Sequence, residues 1–342
     1  MRSIRASVFT ALALAALAGA LPGARAAENR PIAIAIHGGA GTMPAAEMDG
    51  GQAAAYRAGL AEALDAGYAV LEQGGTSLDA VTVAVHRLED NPLFNAGRGA
   101  VLTHDGHASL DAAIMDGQHL RAGAVAGVRH VRNPIELARR VMEKSRYLLL
   151  SGDGAEEFAL EQGFALVPNE YFETPATPPA ARAGAAGRGG TGRAGAGARH
   201  GRRSRARPPC HIAAATSTGG LVNKRWGRIG DSPLIGAGTY ANDASCAVSA
   251  TGDGEFFIRS VVAHDVCALV EYRGWSLERA AREVIQVKVP RLGGEGGVIA
   301  LDPAGNVVLE FNTEGMFRAL RDSKGRRLVG IYRDPASNGA AR

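Results

Sequence analysis

The sequence predicts an α+β protein, because strand-like and helix-like periodicities both recur along the chain. Residues 31–36 form an unbroken apolar run that is typical of a buried strand. Residues 53–72 place Leu60, Leu64 and Leu71 on one side of a helix. A length of 342 residues is enough for one large domain or two small ones, and 46% hydrophobic with 21% charged residues is typical of a soluble globular protein.

The first 26 residues are typical of a secretory signal peptide. Two arginines lie within the first five positions, residues 8–21 are apolar, and residues 24–26 match a small-x-small cleavage site. A membrane anchor is the alternative, but this apolar run is too short to span a bilayer comfortably. We therefore expect export to the periplasm, a mature chain beginning near Ala27, and no membrane association after signal removal.

Caps, turns and periodicity predict the remaining elements. Thr76 and Asp79 form a capping-box pattern before a helix with apolar residues at 78, 81, 85 and 88. The other predicted elements are, in chain order, a loop at 91–99, a hairpin at 101–115 turning at Asp105-Gly106, a helix at 133–144, strands near 212–216 and 247–251, helices near 256–271 and 276–288, and a hairpin at 297–311.

The three cysteines, Cys210, Cys246 and Cys267, have no metal-ligand spacing. An exported protein could form a disulfide, but an odd number of cysteines predicts no framework. We therefore interpret Cys246 and Cys267 as small buried hydrophobic residues.

Residues 177–210 lack the patterning of the rest of the chain. They contain eight arginines, no acidic residue, and no Val, Ile, Leu, Met or aromatic residue. Without those arginines the chain has 30 basic residues against 34 acidic ones, so the net charge of +4 comes from this tract. A basic tract suggests nucleic acid, but no aromatic side chain is present for stacking, so we expect no nucleic-acid partner. The composition also predicts that the tract cannot form a buried central strand.

The last predicted hairpin is an internal comparison for this tract. Residues 211–220 resemble the second half of that hairpin, whose first strand ends in Ala300-Leu301-Asp302. By this analogy an apolar strand ending in Ala-Leu-Asp should precede His211. The sequence instead has Arg-Arg-Ser-Arg-Ala-Arg at 202–207.

Nine short motifs occur in order along the chain. They are His37-Gly-Gly-Ala-Gly41, Asn91-Pro-Leu-Phe-Asn-Ala-Gly-Arg-Gly99, Leu110-Asp111 with Met115-Asp116-Gly117, Ala122-Gly-Ala-Val-Ala-Gly127, Thr216-Ser-Thr-Gly-Gly220, Gly227-Arg-Ile-Gly-Asp-Ser-Pro-Leu-Ile-Gly236, Tyr240-Ala241, Thr251-Gly-Asp-Gly-Glu255 and Phe311-Asn-Thr-Glu-Gly-Met316. Together these motifs resemble the plant-type asparaginase and isoaspartyl peptidase family of N-terminal nucleophile hydrolases. The resemblance covers roughly residues 31–176 and 211–333.

This resemblance implies a four-layer αββα sandwich and a precursor that cuts its own chain in two. The single domain would span residues 27–334, with subunits 27–176 and 211–334 on either side of the tract and a tail at 335–342. The new N-terminal threonine would supply its hydroxyl as nucleophile and its α-amine as base. An α-amine has a lower pKa than a lysine amine, so it can accept a proton near neutral pH.

The sequence departs from the family at the nucleophile itself. The family's nucleophile lies 18 residues before the second threonine of Thr-Ser-Thr-Gly-Gly, and the position 18 residues before Thr218 is His200. Thr191, the only threonine inside the tract, is nine positions too early. The nucleophilic threonine is therefore absent from this translation.

A shift of reading frame accounts for this departure. Permitted codons for residues 199–208, read one base later, translate as Gly-Thr-Val-Gly-Ala-Val-Ala-Leu-Asp. That string reproduces nine consecutive residues of the family pattern and ends in the expected Ala-Leu-Asp. We interpret residues 177–210 as an out-of-frame translation, with a genuine basic linker as the alternative.

The resemblance assigns roles to the remaining site residues. Arg228 would bind the substrate α-carboxylate, with Ile229 and Gly230 alongside it, and Asp231 would bind the α-ammonium with help from the Gly254 carbonyl, next to Asp253. Thr251 and the Gly252 amide would form the oxyanion hole, Thr218 would orient the nucleophile, and Asn95 would lie close by. His37 is interpreted as structural.

The implied substrates are L-asparagine and β-aspartyl dipeptides, which share a free α-carboxylate and α-amine. No cofactor is implied except a structural sodium ion on backbone carbonyls of the loop from Leu88 to Arg98. A homodimer of cleaved units is expected. The alternatives are a glycosylasparaginase, a catalytically dead protein that keeps an amino-acid-binding half-site, and a hydrolase scaffold with a nucleic-acid-binding arm.

Overall fold

Two β-sheets with helices packed against them form the fold. The computed structural model describes residues 32–41, 48–174, 194–200 and 211–333. The predicted signal peptide and the tail at 335–342 lie outside the described residues, as does most of the arginine-rich tract. None of the helices in the described ranges is long and apolar enough to cross a membrane.

The described chain contains twelve strands and eight α-helices. The strands are β1 (Ala33–Gly41), β2 (Leu110–Asp116), β3 (Ala122–Val128), β4 (Leu149–Ser151), β5 (Ala194–His200), β6 (His211–Thr218), β7 (Thr239–Ala241), β8 (Ala247–Gly252), β9 (Gly296–Leu301), β10 (Val307–Phe311), β11 (Gly315–Asp322) and β12 (Arg327–Tyr332). The helices are α1 (Gly50–Glu72), α2 (Ser77–Asp90), α3 (Pro134–Lys144), α4 (Gly152–Glu161), α5 (Gly254–Ser260), α6 (Val262–Arg273), α7 (Leu277–Arg282) and α8 (Val289–Arg291). Short 3₁₀ turns lie at Gly97–Gly99 and Asn169–Phe172, and a π-helical turn lies at Glu283–Lys288.

The larger sheet has eight described strands in the order β12-β11-β1-β5-β6-β2-β3-β4, and the smaller one has four in the order β10-β9-β8-β7. All neighbouring strands are antiparallel except β3 and β4. Helices α1, α2 and α3 contact the larger sheet, whereas α6 and α7 contact the smaller one. Strands β1, β5 and β6 also contact β8 across the two sheets. The described part of the protein is therefore α+β, as predicted.

Most helices confirm the sequence-based predictions. The apolar face of α1 is buried at Leu60, Leu64 and Leu71, and α2 begins with the predicted capping box. The predicted helix at 256–271 was wrong as a single element, because Val261 has a φ of 49° and separates α5 from α6. A residue in the left-handed region cannot continue a right-handed helix.

Two strand predictions need correction. Strand β1 does not end before His37 but continues to Gly41, with a bulge between His37 and Gly39 in its pairing with β11. The predicted hairpin at 101–115 turns at Asp105-Gly106, but it closes only through a bridge between Leu102 and Ala108. Strand β2 then pairs with β3 and β6 instead.

The prediction that the tract cannot supply a central strand was wrong. Residues 194–200 pair with β1 on one side and β6 on the other. Their run of alternating alanine and glycine needs little lateral space, and both edges of the backbone are satisfied by neighbouring strands. Gly195 is buried, and a Cβ there would overlap Ser249 Oγ and His37 Nε2. The slot therefore accepts a strand without branched side chains.

The cysteine interpretation also needs correction. Cys246 and Cys267 form a disulfide with their Cα atoms 5.2 Å apart, which links the start of β8 to α6. Both residues are buried, as predicted, but they are covalently bonded. The sequence could not select this pair from three cysteines, because 21 residues separate them and the pairing depends on how α6 packs on β8.

Candidate active site

Three of the predicted site residues, Thr218, Thr251 and Gly252, lie at the ends of strands that run in the same direction. Strands β1 and β6 are each antiparallel to β5, so they are parallel to each other. Strand β8 follows β1 across the two sheets, because His37 Nε2 contacts Ser249 Oγ and the Ala40 amide donates to Thr251 Oγ1. The carboxyl ends of β1, β6 and β8 therefore meet at what we call the site end.

Thr218 is the last residue of β6 and is almost fully buried. Its Oγ1 accepts a hydrogen bond of 2.8 Å from the Gly220 amide. Asn95 fixes the same turn from the first half of the chain: its Nδ2 donates to the Gly220 carbonyl at 2.8 Å, and its own carbonyl accepts from the Gly219 amide at 3.0 Å. The structure thus brings Thr218 and Asn95 together on one wall of the site.

Thr251 and Gly252, the last residues of β8, form a second wall. Thr251 is fully buried, and its Oγ1 accepts from the Ala40 amide at 3.1 Å. Gly252 has a φ of 151°, and a Cβ on it would overlap the backbone of Gly296. Only glycine meets both conditions, so no other residue fits at the end of β8.

Arg228 reaches the motif that begins at Thr251 through Glu255. Its Nε donates to Glu255 Oε1 at 2.8 Å and its Nη2 to Oε2 at 2.9 Å, a bidentate pairing. The third nitrogen, Nη1, is buried and has no hydrogen-bond partner among the described residues. Glu255 lies in the first turn of α5 and its side chain is 55% exposed. The guanidinium is thereby oriented while one buried donor stays available.

The other predicted binding residues differ in their surroundings. Asp231 is fully buried and Gly230 is buried, whereas Ile229 is 38% exposed. Asp253 caps α5 and accepts the Glu295 amide through Oδ2 at 3.2 Å, so its carboxylate has a structural partner. Gly254 begins α5 and is buried.

A buried polar network beneath the site was missed in the sequence. His37 Nε2 lies 2.8 Å from Ser249 Oγ, which lies 2.7 Å from Thr216 Oγ1, and Thr239 Oγ1 donates to Thr216 Oγ1 at 2.7 Å. All four side chains have zero exposure and come from strands of both sheets. Thr216 and Ser249 each lie two residues before Thr218 and Thr251, so this network sets the spacing between the two walls. The hydroxyl at every second position of β6 and β8 was the available signal.

A buried ion pair beside the Thr218 turn was missed as well. Lys224 Nζ donates to the Ser109 carbonyl at 2.8 Å and lies 3.8 Å from Asp111 Oδ2, with both side chains almost fully buried. A Cβ on Gly220 would lie 2.9 Å from Lys224 Nζ. Asp111 also stands opposite Thr218 in the pairing of β2 with β6. The ion pair therefore stabilises the turn formed by Thr218, Gly219 and Gly220.

Glu89 of α2 bonds to the face of β6 that packs against the helices. Its Oε1 accepts from Ser217 Oγ at 2.6 Å and from the Ile135 amide at 3.0 Å. Burial raises the pKa of Glu89 to about 8, although these hydrogen bonds act in the opposite direction. The carboxyl group is therefore largely protonated at neutral pH, which removes the cost of a buried charge at the helix–sheet contact.

The expected nucleophile position does not lie at the site end. His200 pairs with His211 at the opposite end of β5, whereas Ala194 pairs with Ser217 beside Thr218. The six-residue separation corresponds to about 20 Å along a strand. Thr191 precedes Ala194 by three positions and lies outside the described residues. No hydroxyl of β5 adjoins Thr218 in the described part of the chain.

Two backbone carbonyls of the loop from Leu88 to Arg98 lie close to the same residue, and one of them, that of Phe94, accepts the Ala96 amide at 2.8 Å. The carbonyls of Pro92 and Phe94 converge on Gly99, where a Cβ would overlap both. Backbone carbonyls are hard ligands of the kind that alkali and alkaline-earth cations take. In the described ranges, no cluster of three His, Cys, Asp or Glu side chains is placed to hold a metal ion.

The chain is similar to known proteins on both sides of the arginine-rich tract. A family model described as asparaginase matches residues 30–182 and 208–331. The interruption between these segments falls inside residues 177–210.

Among curated proteins, the isoaspartyl peptidase of Salmonella typhimurium is 51% identical over 314 residues, covering 88% of this chain and 98% of that protein. The isoaspartyl peptidase of Escherichia coli is 47% identical over 308 residues, covering 88% and 96%. The probable isoaspartyl peptidase/L-asparaginase 2 of Arabidopsis thaliana is 41% identical over 330 residues, covering 88% and 98%.

Proposed function

Because this chain belongs to the asparaginase family, we propose that it is an amidohydrolase that cleaves β-aspartyl dipeptides and L-asparagine with an N-terminal threonine. Residues 177–210 as written are then an out-of-frame translation of the segment that supplies this threonine. The observation that carries the proposal is the meeting of Thr218, Thr251 and their partners at one end of parallel strands. The interruption of the family match at 183–207 supports the second statement.

The buried donor of Arg228 supports its role toward the substrate α-carboxylate. A carboxylate at Nη1 gains a charge-assisted hydrogen bond, and Glu255 already holds the guanidinium plane. Asp231 and the Gly254 carbonyl would accept from the substrate α-ammonium. Recognition of both charged groups leaves the β-carboxyl end of the substrate to react.

The chemistry follows from a threonine at the site end of the central strand. Its hydroxyl oxygen attacks the β-carbonyl carbon while its α-amine takes the hydroxyl proton and passes it to the leaving nitrogen. The Thr251 hydroxyl and the Gly252 amide would stabilise the charge on the carbonyl oxygen. Thr218 and Asn95 would orient the nucleophile. Water then hydrolyses the acyl-enzyme to release aspartate.

The test is to sequence the coding DNA across codons 170–215 and to express two versions of the protein. One version carries residues 199–207 as written, and the other replaces them with Gly-Thr-Val-Gly-Ala-Val-Ala-Leu-Asp. We expect the second version to cut itself before its threonine and to release ammonia from L-asparagine. We expect the first to remain uncleaved and to release no ammonia.

Two results would change this conclusion. DNA that confirms the tract, together with an uncleaved protein that binds aspartate, would identify a catalytically dead member of the family. A restored version that prefers asparagine bearing an N-linked sugar would identify a glycosylasparaginase. Soluble, self-cleaving protein from the sequence as written would contradict the frame-shift statement.

The layer architecture, the compartment, the oligomeric state and a bound ion are also part of this proposal. The two contacting sheets with helices on each support a four-layer αββα sandwich. The Cys246–Cys267 disulfide supports export to an oxidising compartment such as the periplasm. We also propose a homodimer of cleaved units and a structural sodium ion on the loop from Leu88 to Arg98, which contains the convergent carbonyls of Pro92 and Phe94.

A further inference from the structure

The loop between β6 and Arg228 is firmly anchored at its base. The Asn223 amide donates to the Leu102 carbonyl at 2.9 Å, and the His104 amide donates to the Lys224 carbonyl at 2.9 Å. Lys224 itself points inward to Ser109 and Asp111. These contacts fix where the tip of the loop lies.

The tip of this loop carries an exposed tryptophan in an unfavourable backbone conformation. The Arg228 amide donates to the Arg225 carbonyl at 2.9 Å, which closes a four-residue turn with Trp226 and Gly227 at its centre. Their φ values are 54° and 67°. Turns with two positive φ values favour Gly, Asn and Asp, because a side chain in the left-handed region is crowded by its own backbone. Trp226 is 95% exposed, so packing within the described chain does not compensate for this strain.

The position of Trp226 indicates what it contacts. Two peptide units separate it from Arg228, so the two Cα atoms lie within about 8 Å of each other. From this distance a tryptophan side chain is long enough to reach a ligand that extends beyond the Arg228 guanidinium. Strained backbone at such a position is a frequent companion of ligand binding.

On the premise of the proposed function, we infer that Trp226 selects the leaving group. Its ring packs against the side chain of the second residue of a β-aspartyl dipeptide and favours apolar or aromatic residues there. L-asparagine and free aspartate have no such side chain, so they gain nothing from it. Trp226 is thus a specificity-determining residue for one of the two substrate classes.

The experiment measures equilibrium binding to the full chain as written. This version lacks the nucleophilic threonine, so the result does not depend on turnover. The protein has two tryptophans, and Trp275→Phe leaves Trp226 as the only indole. We expect β-aspartyl-leucine to shift the emission of this variant to shorter wavelength, and β-aspartyl-glycine and L-aspartate to leave it unchanged. In calorimetry, Trp226→Ala should weaken β-aspartyl-leucine binding roughly three- to tenfold, the range of one aromatic contact. Aspartate binding should change less than twofold.

Matched variants separate this inference from the proposed function. Arg228→Ala should abolish binding of both β-aspartyl-leucine and L-aspartate. If this variant still bound aspartate, the proposed function would be refuted, not the inference about Trp226. Trp226→Phe should restore dipeptide selectivity. Trp226→Gly should lose selectivity but raise the melting temperature, because glycine tolerates the turn. If any preparation hydrolyses the dipeptide, the same ratios are read from KM.

Two outcomes would overturn the inference. One is equal weakening, or no weakening, of both ligands by Trp226→Ala while Arg228→Ala behaves as expected. The other is a change in sedimentation between the unaltered protein and Trp226→Ala without a change in ligand selectivity. The second outcome would assign Trp226 to a contact between copies of this chain.

Discussion

The pair β5–β6 and the hairpin β9–β10 have the same antiparallel arrangement but very different side chains. Both are antiparallel pairs within a sheet, but residues 302–306 join β9 to β10 whereas the longer segment 201–210 joins β5 to β6. Strand β9 buries Val298, Ile299 and Leu301, whereas residues 194–198 of β5 are alanine and glycine only. Backbone pairing alone thus places a strand, and branched side chains are what pack its faces.

The length of the connection between the two strands also affects which residue of β5 lies at the site end. The register of β5 brings Ala194, not a hydroxyl, next to Ser217 and Thr218. The short turn of β9–β10 is fixed by Asp302, which accepts the Asn306 amide at 2.9 Å. A hairpin register follows from its turn, so a longer connection leaves the register to the neighbouring strands.

Removing apolar packing from β9 should have the largest effect. Ile299 is fully buried between the sheets with Phe311, Met316 and Leu320. Ile299→Ala should lower the free energy of unfolding by about 2–5 kcal/mol, because it deletes buried carbon atoms and leaves a cavity. Ala213→Gly in β6 is the counterpart and should cost only about 0.5–1 kcal/mol. Urea denaturation measures both, and equal losses would contradict the contrast between the two pairs.

Adding volume to β5 should be the next largest effect. Gly195→Val would place a side chain where Ser249 Oγ and His37 Nε2 already lie. We expect a loss of about 1–3 kcal/mol from overpacking, measured as a lower urea midpoint. Gly154→Val is the control, since nothing lies within 4 Å of a Cβ at that exposed helix position. Similar stability of the two variants would show that β5 does not occupy its slot in solution.

Ionisation of Glu89, which bonds to Ser217 of β6, should give the smallest effect when it is measured as the change in unfolding free energy per pH unit. The pKa of Glu89 is about 8 in the fold against an ordinary value of 4.5, so the folded state keeps a proton that the unfolded state loses. Stability contributed by this group is complete below pH 4.5 and is lost as pH rises toward about 8. The slope is at most about 1.4 kcal/mol per pH unit.

The control for this effect is Glu89→Gln, which keeps an acceptor for Ser217 but cannot ionise. Unfolding free energies of both proteins between pH 5 and 8 should diverge from each other, with the glutamine variant losing less stability at high pH. Parallel curves would show that Glu89 is not protonated in the folded protein.

Features encoded in neighbouring residues were predictable from the sequence. The capping box of α2, the buried face of α1 and the hairpin at 297–311 each arise within about 20 consecutive residues. The position of Asn95 beside the turn after Thr218 was suggested only by family resemblance, since 125 residues separate Asn95 from Gly220. The roles of Arg228, Asp231, Thr251 and Gly252 remain predictions that the proposed experiments test.

The sequence by itself determined the local elements, the family and the anomaly at 177–210, because periodicity, caps and motif order are properties of adjacent residues. Only the tertiary structure decided that β5 fills the central slot, that Cys246 bonds Cys267, and that Lys224 pairs with Asp111. Each of these depends on groups far apart in sequence that meet when the sheets and helices pack. A buried charge, thiol or bare backbone edge is stable only with its partner, and the partner's identity is settled by packing.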